Sequence, residues 1–378
     1  MLKEFIEERI FEEGMKNTTL FRNLVRKVAY KKAKGDPEKV HELALETLNK
    51  YEYVLKEISN EFQFPKLSVK LNEKEITPFG TAAGLDKNAQ ALNPLSYIFG
   101  FQEIGTITLQ SREGNPKPRV TADEKNKDLY NAQGFPSKGL NYVKKKLEEY
   151  RKEGGKAVIL ANICGIPPED KSLKVALDEI EIITNDLERT VDGFVWNPYS
   201  PNTAALKMLR TKESFEEHAK LIKNVAWKKP VLVKMGPYEE DQKEEWINLI
   251  DTWMNNEGDG IVAVNTYTTP KEKVPSLNWG YPSAGRSGKY LQEYRQRAIK
   301  ETRKKYPKAI IIATGGIDSA EQAFSSFDLG ADLLEGYTPY TFNGFGLIKE
   351  MGKGLEKIIL EKGFSSLQSF LEYNAKRD

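Results

Sequence analysis

Lysines, asparagines and glycines recur in this chain directly behind short apolar runs, where a rigid backbone can hold side chains for chemistry. Ala82-Ala83-Gly84-Leu85-Asp86-Lys87-Asn88 follows one run, Gly105-Thr106 the next, and Asn162 lies near the end of a third. Asn197-Pro198-Tyr199-Ser200-Pro201-Asn202-Thr203 follows a fourth; Lys234, Asn265-Thr266, Gly315-Gly316 and Tyr337-Thr338 complete the series. Amides and ammonium groups outnumber acids in this set. It offers no carboxylate pair for glycoside hydrolysis and no metal-ligand group. Such a collection suits an anionic, planar, hydrogen-bonding ligand. In Thr314-Gly315-Gly316-Ile317-Asp318-Ser319 the glycines sit where a strand turns into a helix, so bare N–H groups would face an anion. With Tyr337-Thr338 after the following strand, they would form the phosphate site common to many barrels. An ordinary tight turn accounts for a Gly-Gly pair equally well when it is taken alone.

Positioning these groups requires a repeated scaffold. From about residue 66 the pattern is one of short apolar runs alternating with amphipathic stretches, such as Leu140, Val143, Leu147 and Tyr150 on one helical face. A small hairpin (Leu67–Val69, then Glu75–Ile76) precedes eight strand candidates. These are Phe79–Gly84, Glu103–Thr108, Ala157–Ile163, Gly193–Asn197, Val231–Met235, Gly260–Asn265, Ala309–Thr314 and Asp332–Gly336. Eight β-then-α units predict a closed (β/α)₈ barrel, an α/β fold whose active site gathers at the C-terminal strand ends.

Residues 1–62 read differently, as a small helical extension before the barrel domain at 63–378. Leu2, Phe5, Ile6, Ile10 and Phe11, then Leu20, Phe21, Leu24, Val25 and Val28, recur at helical spacing. Between Gly14 and Gly35 lie Lys16, Arg22, Arg26, Lys27, Lys31, Lys32 and Lys34 with no acid. A helix on an anionic membrane surface and a helix docked on the barrel with a solvated basic face both fit this pattern. Asp36-Pro37 predicts a new helix, with Asp36 as N-cap and Pro37 at the first helical position.

The totals remove several classes of function. The 378 residues are 39% hydrophobic and 30% charged, an ordinary globular composition. A formal net charge of +2 gives no whole-protein signature for nucleic acid. One cysteine, Cys164, rules out an internal disulfide and a thiolate metal cluster, and two histidines, His41 and His218, argue against a His-rich metal site. Cys164 reads as a buried small apolar residue, and His218, within Phe215-Glu-Glu-His-Ala, as a solvated helix position. No apolar run approaches the length of a membrane span, and no secretory signal is recognised, so a cytoplasmic address is expected, with peripheral membrane contact through residues 1–35 as an option.

The segments AAGLDKN (82–88), EIGT (103–106), GNPKPR (114–119), NAQGF (131–135), NPYSPNT (197–203), VLVKM (231–235), AGRSGKYL (284–291) and TGGIDS (314–319) resemble the dihydroorotate dehydrogenase family, in the family's order and over nearly the whole barrel. DPEKVHELAL (36–45) resembles the N-terminal region of its quinone-using, membrane-associated branch. The resemblance implies FMN as cofactor, dihydroorotate as substrate in pyrimidine synthesis, and quinone as acceptor. It implies Ser200 as catalytic base, in a position where the family carries cysteine or serine, serine going with the quinone-using branch. Lys87, Asn131, Asn197, Asn202, Asn265 and Thr266 correspond to residues that hold the orotate ring and carboxylate. Ala82, Ala83, Thr106, Asn162, Lys234, Gly288, Gly315, Gly316, Tyr337 and Thr338 correspond to flavin contacts.

The chemistry is consistent with these roles. The oxidation removes a proton from one ring carbon and a hydride from its neighbour, and a flavin is needed because no side chain accepts a hydride. A serine hydroxyl is a poor base, so its proton must be relayed, with Thr203 and a water shielded by Phe135 as candidates. Lys87 would pair with the substrate carboxylate, and Lys234 would stabilise negative charge on the reduced flavin. His41 either packs the N-terminal helices or lines the acceptor's route. Three departures from the family pattern stand out: Gln133, Tyr199 beside the base, and Val264. They keep another dihydropyrimidine open as substrate, and another acceptor (a partner protein, fumarate or a soluble carrier) also remains open. A flavin-free aldolase or isomerase using only the phosphate site is the alternative from a different class.

Overall fold

The strand Val158–Ile163 is buried at every position, as are Val231–Met235, Gly193–Trp196 and Gly260–Ala263. Such uninterrupted burial is what a parallel strand covered on both faces demands. In the computed structural model, which describes residues 2–71, 73–167, 172–200, 204–276 and 278–376, these strands join Phe79–Thr81, Phe101–Ile107, Ile310–Thr314 and Leu333–Gly336 in a closed eight-stranded barrel. Every neighbouring pair is parallel and follows chain order, and the last strand closes on the first through Leu334 opposite Phe79. All eight expected strands are therefore present, and the (β/α)₈ class is observed. The expected hairpin pairs Val69–Leu71 with Lys74–Ile76.

Helices wrap the barrel with the faces their periodicity implies. In Leu140–Lys152, Val143, Leu147 and Tyr150 are buried. In Lys212–Ala226, Phe215, His218, Ala219 and Ile222 point inward. His218 is thus not the solvated residue expected. It is fully buried, its ring stacks 4.1 Å from that of Trp196, and Nδ1 lies 2.7 Å from the Ser214 carbonyl. Burial lowers its pKa to about 4, so the imidazole packs neutral. Cys164 is buried as expected.

One layer was not anticipated. The connections after the second and sixth barrel strands contribute a four-stranded antiparallel sheet in the order Tyr267–Pro270, Ser283–Gly288, Asp128–Asn131, Val120–Asp123. Asp128 in it is buried and pairs with Arg286 at 2.6 Å. Asn131, Ser287 and Gly288 of this sheet line the same pocket as the barrel's strand ends.

At the N-terminus, Leu2–Lys16 and Arg26–Lys32 flank a wide-turn segment, Phe21–Val25, and Asn17 caps the helix between them through its side chain on the Leu20 N–H at 3.0 Å. Asp36 caps Pro37–Lys50 by accepting from the N–H groups of Glu38 and Lys39, as its position predicted. Phe11, Met15, Leu45 and Leu48 share one core with the barrel. Phe5, Ile6, Ile10, Leu24 and Val28 stay exposed, as do Lys27, Lys31, Lys32 and Lys34. Arg26 instead docks, pairing with Glu124 at 2.6 Å and donating to the Thr341 carbonyl. No helix among the described residues is long and apolar enough to cross a membrane.

Candidate active site

The C-terminal strand ends and the antiparallel sheet enclose a pocket with about 1200 Å³ of space between atoms, the open mouth included. Of the residues expected to bind substrate, Lys87, Asn131, Asn197, Asn265 and Thr266 line it, as does Ser200. Asn202 and Thr203 lie outside the described residues. Of the expected flavin contacts, Ala82, Ala83, Thr106, Lys234, Gly288, Gly315, Gly316, Tyr337 and Thr338 line it. Asn162 is set one layer back, fully buried, and touches the pocket through Thr106, whose hydroxyl donates to it at 2.5 Å. Phe135 is a lining residue and holds a left-handed backbone (φ +58°), an uncommon conformation for an aromatic residue.

One hydrogen-bonded chain orders the amides. Asn265 Oδ1 accepts from the Thr266 N–H at 2.7 Å, and Asn265 Nδ2 donates to Asn197 Oδ1 at 2.9 Å. Asn197 Nδ2 donates in turn to Thr106 Oγ1 at 3.1 Å and Asn162 Oδ1 at 3.3 Å. Asn162 Nδ2 donates to Glu103 Oε1 at 2.5 Å. Because each amide is used at both ends, its orientation is fixed.

The chain ends at a buried ionic centre that the strand-end reading missed. Lys234 Nζ lies 2.8 Å from Glu103 Oε2 and 3.0 Å from Glu335 Oε1, with both carboxylates essentially inaccessible. Burial pushes Glu103 up, but the Lys234 ammonium and hydrogen bonds outweigh it and bring the carboxyl below its ordinary value. Burial and then the Glu103 charge hold Glu335 well above the carboxylate range. Of the two acids beside the Lys234 ammonium, Glu335 is therefore the one that holds a proton more readily. Lys234, expected to stabilise negative charge on a reduced flavin, lies on the pocket wall with both of these acids as partners. Glu335 also lines the pocket, and its Oε2 has no partner among the described residues.

Lys87 differs. Its Nζ donates to the Gly84 carbonyl at 3.2 Å, and burial first, with Arg119 adding, lowers its pKa to about 8 against the pull of Glu38. Glu38 is held by Arg119 at 2.7 Å, which links the helix Pro37–Lys50 to the pocket rim. His41 on the same helix meets the Tyr337 ring edge-on at 5.7 Å, and burial followed by the Lys87 charge lowers its pKa to about 3, leaving it neutral.

Of the three departures, Gln133 and Val264 line the pocket. Tyr199 does not figure in its wall. Its ring packs so closely on Gly236 that a Cβ there would lie 2.4 Å from Cδ1, and Arg210 covers it at 4.7 Å. Arg210 also donates to the carbonyls of Pro198 at 3.1 Å and Ser200 at 3.3 Å. The bulky ring thus anchors the serine's loop from outside.

A sequence profile described as "Dihydroorotate dehydrogenase" matches residues 66–359. Proteins named "Dihydroorotate dehydrogenase (quinone)" are similar over most of the chain. That of a Nitratiruptor species is 31% identical, covering 88% of this chain and 94% of its own length. That of Nautilia profundicola is 32% identical, with 92% and 95% covered. Among solved structures, DHODH from Eimeria tenella in complex with ferulenol superposes with a TM-score of 0.77 at 26% identity, covering 88% of this chain and 94% of that one. With the profile spanning most of the barrel and these relatives nearly its full length, the chain belongs to the dihydroorotate dehydrogenase family.

Proposed function

We propose that this protein oxidises dihydroorotate to orotate with FMN in the pocket, Ser200 as base and a quinone as electron acceptor. The observation that carries this reading is the convergence of Lys87, Asn131, Asn197, Asn265, Thr266 and Ser200 on one barrel mouth that also holds the Gly315-Gly316 turn. FMN fits the residues present: the turn presents backbone N–H groups without side chains, and the orphaned Glu335 Oε2 is a polar group on a wall a ring system could satisfy. Bound there, FMN would supply the hydride acceptor that the side chains lack.

The remaining work falls to the chain itself. Lys87 pairs with the substrate carboxylate and favours negative charge building in the ring as Ser200 removes a proton. The linked amides of Asn197 and Asn265 hold the ring's polar edge without rearranging. Phe135 keeps bulk water from the serine, with Thr203 as the relay for its proton. We further propose that residues 1–62 form an acceptor-facing extension on the barrel at 63–378. Exposed Phe5, Ile6, Ile10, Leu24 and Val28 beside Lys27, Lys31, Lys32 and Lys34 support peripheral contact with an anionic membrane. The names of the relatives support quinone as acceptor.

The test is to purify the protein, identify the released chromophore, and assay dihydroorotate turnover with a short-chain quinone, with fumarate and with a soluble dye. FMN release and quinone-dependent turnover are expected. Turnover with fumarate but not quinone would replace the acceptor; a colourless protein that cannot take up FMN would remove the reading.

A further inference from the structure

Behind the Gly315-Gly316 turn lies a charge that the reading above does not use. Arg295, on the helix Gln292–Lys305, is fully buried. One terminal nitrogen donates to the Gly315 carbonyl, the other to Gln322 Oε1 at 2.8 Å, and Nε is buried with no partner among the described residues. Arg295 forms no ion pair among those residues. Asp318, the acid that influences it, is engaged by Lys289 at 3.1 Å. Burial lowers its pKa only to about 10, so the guanidinium is charged at neutral pH. A buried charge without a counter-ion is costly to a fold, and here it stands against a turn built to receive an anion.

The contacts also set the direction in which that turn faces. Within one trans peptide the C=O and N–H point opposite ways. Arg295 holds the Gly315 carbonyl from behind, so the Gly316 N–H is turned to the other side. Gln292 Nε2 holds the Gly316 carbonyl at 2.8 Å and does the same for the Ile317 N–H. Gly315, Gly316 and Ile317 all line the pocket. The backbone at both glycines (φ +106° and +71°) is one that L side chains rarely adopt.

We propose that Arg295 is the buried counter-charge of a phosphomonoester bound at the Gly315-Gly316 turn, a positioning residue that orients the turn's N–H groups and supplies the positive potential behind them. The ligand is a phosphate dianion, and only its attachment to a flavin rests on the function proposed above.

Full-length chain freed of cofactor is titrated with FMN and with riboflavin, which lacks the phosphate, using wild type, Arg295→Gln and Arg295→Lys. Thermal melting with inorganic phosphate is run alongside. Arg295→Gln should weaken FMN about 10–100-fold, the range for hydrogen bonds to charged groups, leave riboflavin within about twofold, and lose the stabilisation by phosphate. Arg295→Lys should keep most of the FMN affinity and the phosphate response, which also guards against Arg295→Gln failing to fold. Equal losses for FMN and riboflavin would make Arg295 a core brace and overturn the proposal, as would an Arg295→Gln protein that still binds FMN normally. If no flavin binds wild type but phosphate stabilises it and not Arg295→Gln, the counter-charge stands and the cofactor assignment falls.

Discussion

The Lys234 centre makes a quantitative prediction because its two carboxyl groups are not equivalent. From the opposite directions in which their pKa values move, we reason that Glu335 carries the proton and Glu103 the charge. Replacing Glu335 by glutamine swaps one neutral hydrogen-bonding group for another of nearly the same shape, which should cost no more than about 1 kcal/mol. Replacing Glu103 by glutamine removes the anion that keeps Glu335 protonated. Glu335 then ionises 3.0 Å from Lys234, the ion pair re-forms, and the loss is about 1–2 kcal/mol of hydrogen bonding. The double variant leaves Lys234 buried with no anion, and breaking a buried pair in that way costs about 3–5 kcal/mol. At mid-range the double loss should therefore exceed the sum of the singles by about 2 kcal/mol. The assay is equilibrium urea unfolding at neutral pH of all four proteins. Cofactor concentration is held constant, since a bound ligand adds to apparent stability. Additive losses would refute the reasoning. So would a Glu335→Gln variant as damaged as the double one, because Glu335 would then be the ionised partner.

Two further perturbations test the surroundings. With a free pKa of about 8, Lys87 is half charged near that pH, and a bound carboxylate raises its affinity for the proton. Orotate binding should then take up about half a proton at about pH 8 and almost none two units lower, read as buffer-dependent calorimetric enthalpy and absent in Lys87→Met. Uptake that is unchanged in the variant would assign it elsewhere. For stability alone the unfolded lysine keeps its proton up to about pH 10.5, so this group makes the free protein more stable as pH rises from about 8. A Gly236→Ala change would drive a methyl into Tyr199 and displace the serine's loop. Substrate-driven flavin reduction should slow about 10–100-fold. Full activity in Gly236→Ala alone would show that the ring does not set the loop.

Much of this fold was legible because parallel strands buried on both faces read as apolar runs, and the polar residues behind Phe79–Thr81 and Gly193–Trp196 mark the pocket directly. Asp36-Pro37 announced its helix through cap chemistry alone. The antiparallel sheet was not legible: Val120–Asp123 and Asp128–Asn131 are four residues each, each carries an acid, and neither is long enough to show a period-two pattern. Glu103 and Glu335 were missed for a related reason. Glu103 lies early in its strand, Glu335 is overshadowed by the Tyr337-Thr338 that follows it, and their pairing with Lys234 depends on barrel closure that no local window contains. His218 was misread from its acidic neighbours, although Phe215, His218, Ala219 and Ile222 already fall on one helical face.

The central claim is tested most directly by mixing the purified holoenzyme anaerobically with dihydroorotate and following the visible flavin absorbance through a single turnover. Ser200→Ala and a dihydrouracil control are run in parallel. Rapid stoichiometric bleaching by dihydroorotate, strongly slowed in Ser200→Ala and absent with dihydrouracil, is the predicted result. A flavin that dihydroorotate leaves oxidised, or that bleaches equally fast without the Ser200 hydroxyl, would contradict the account.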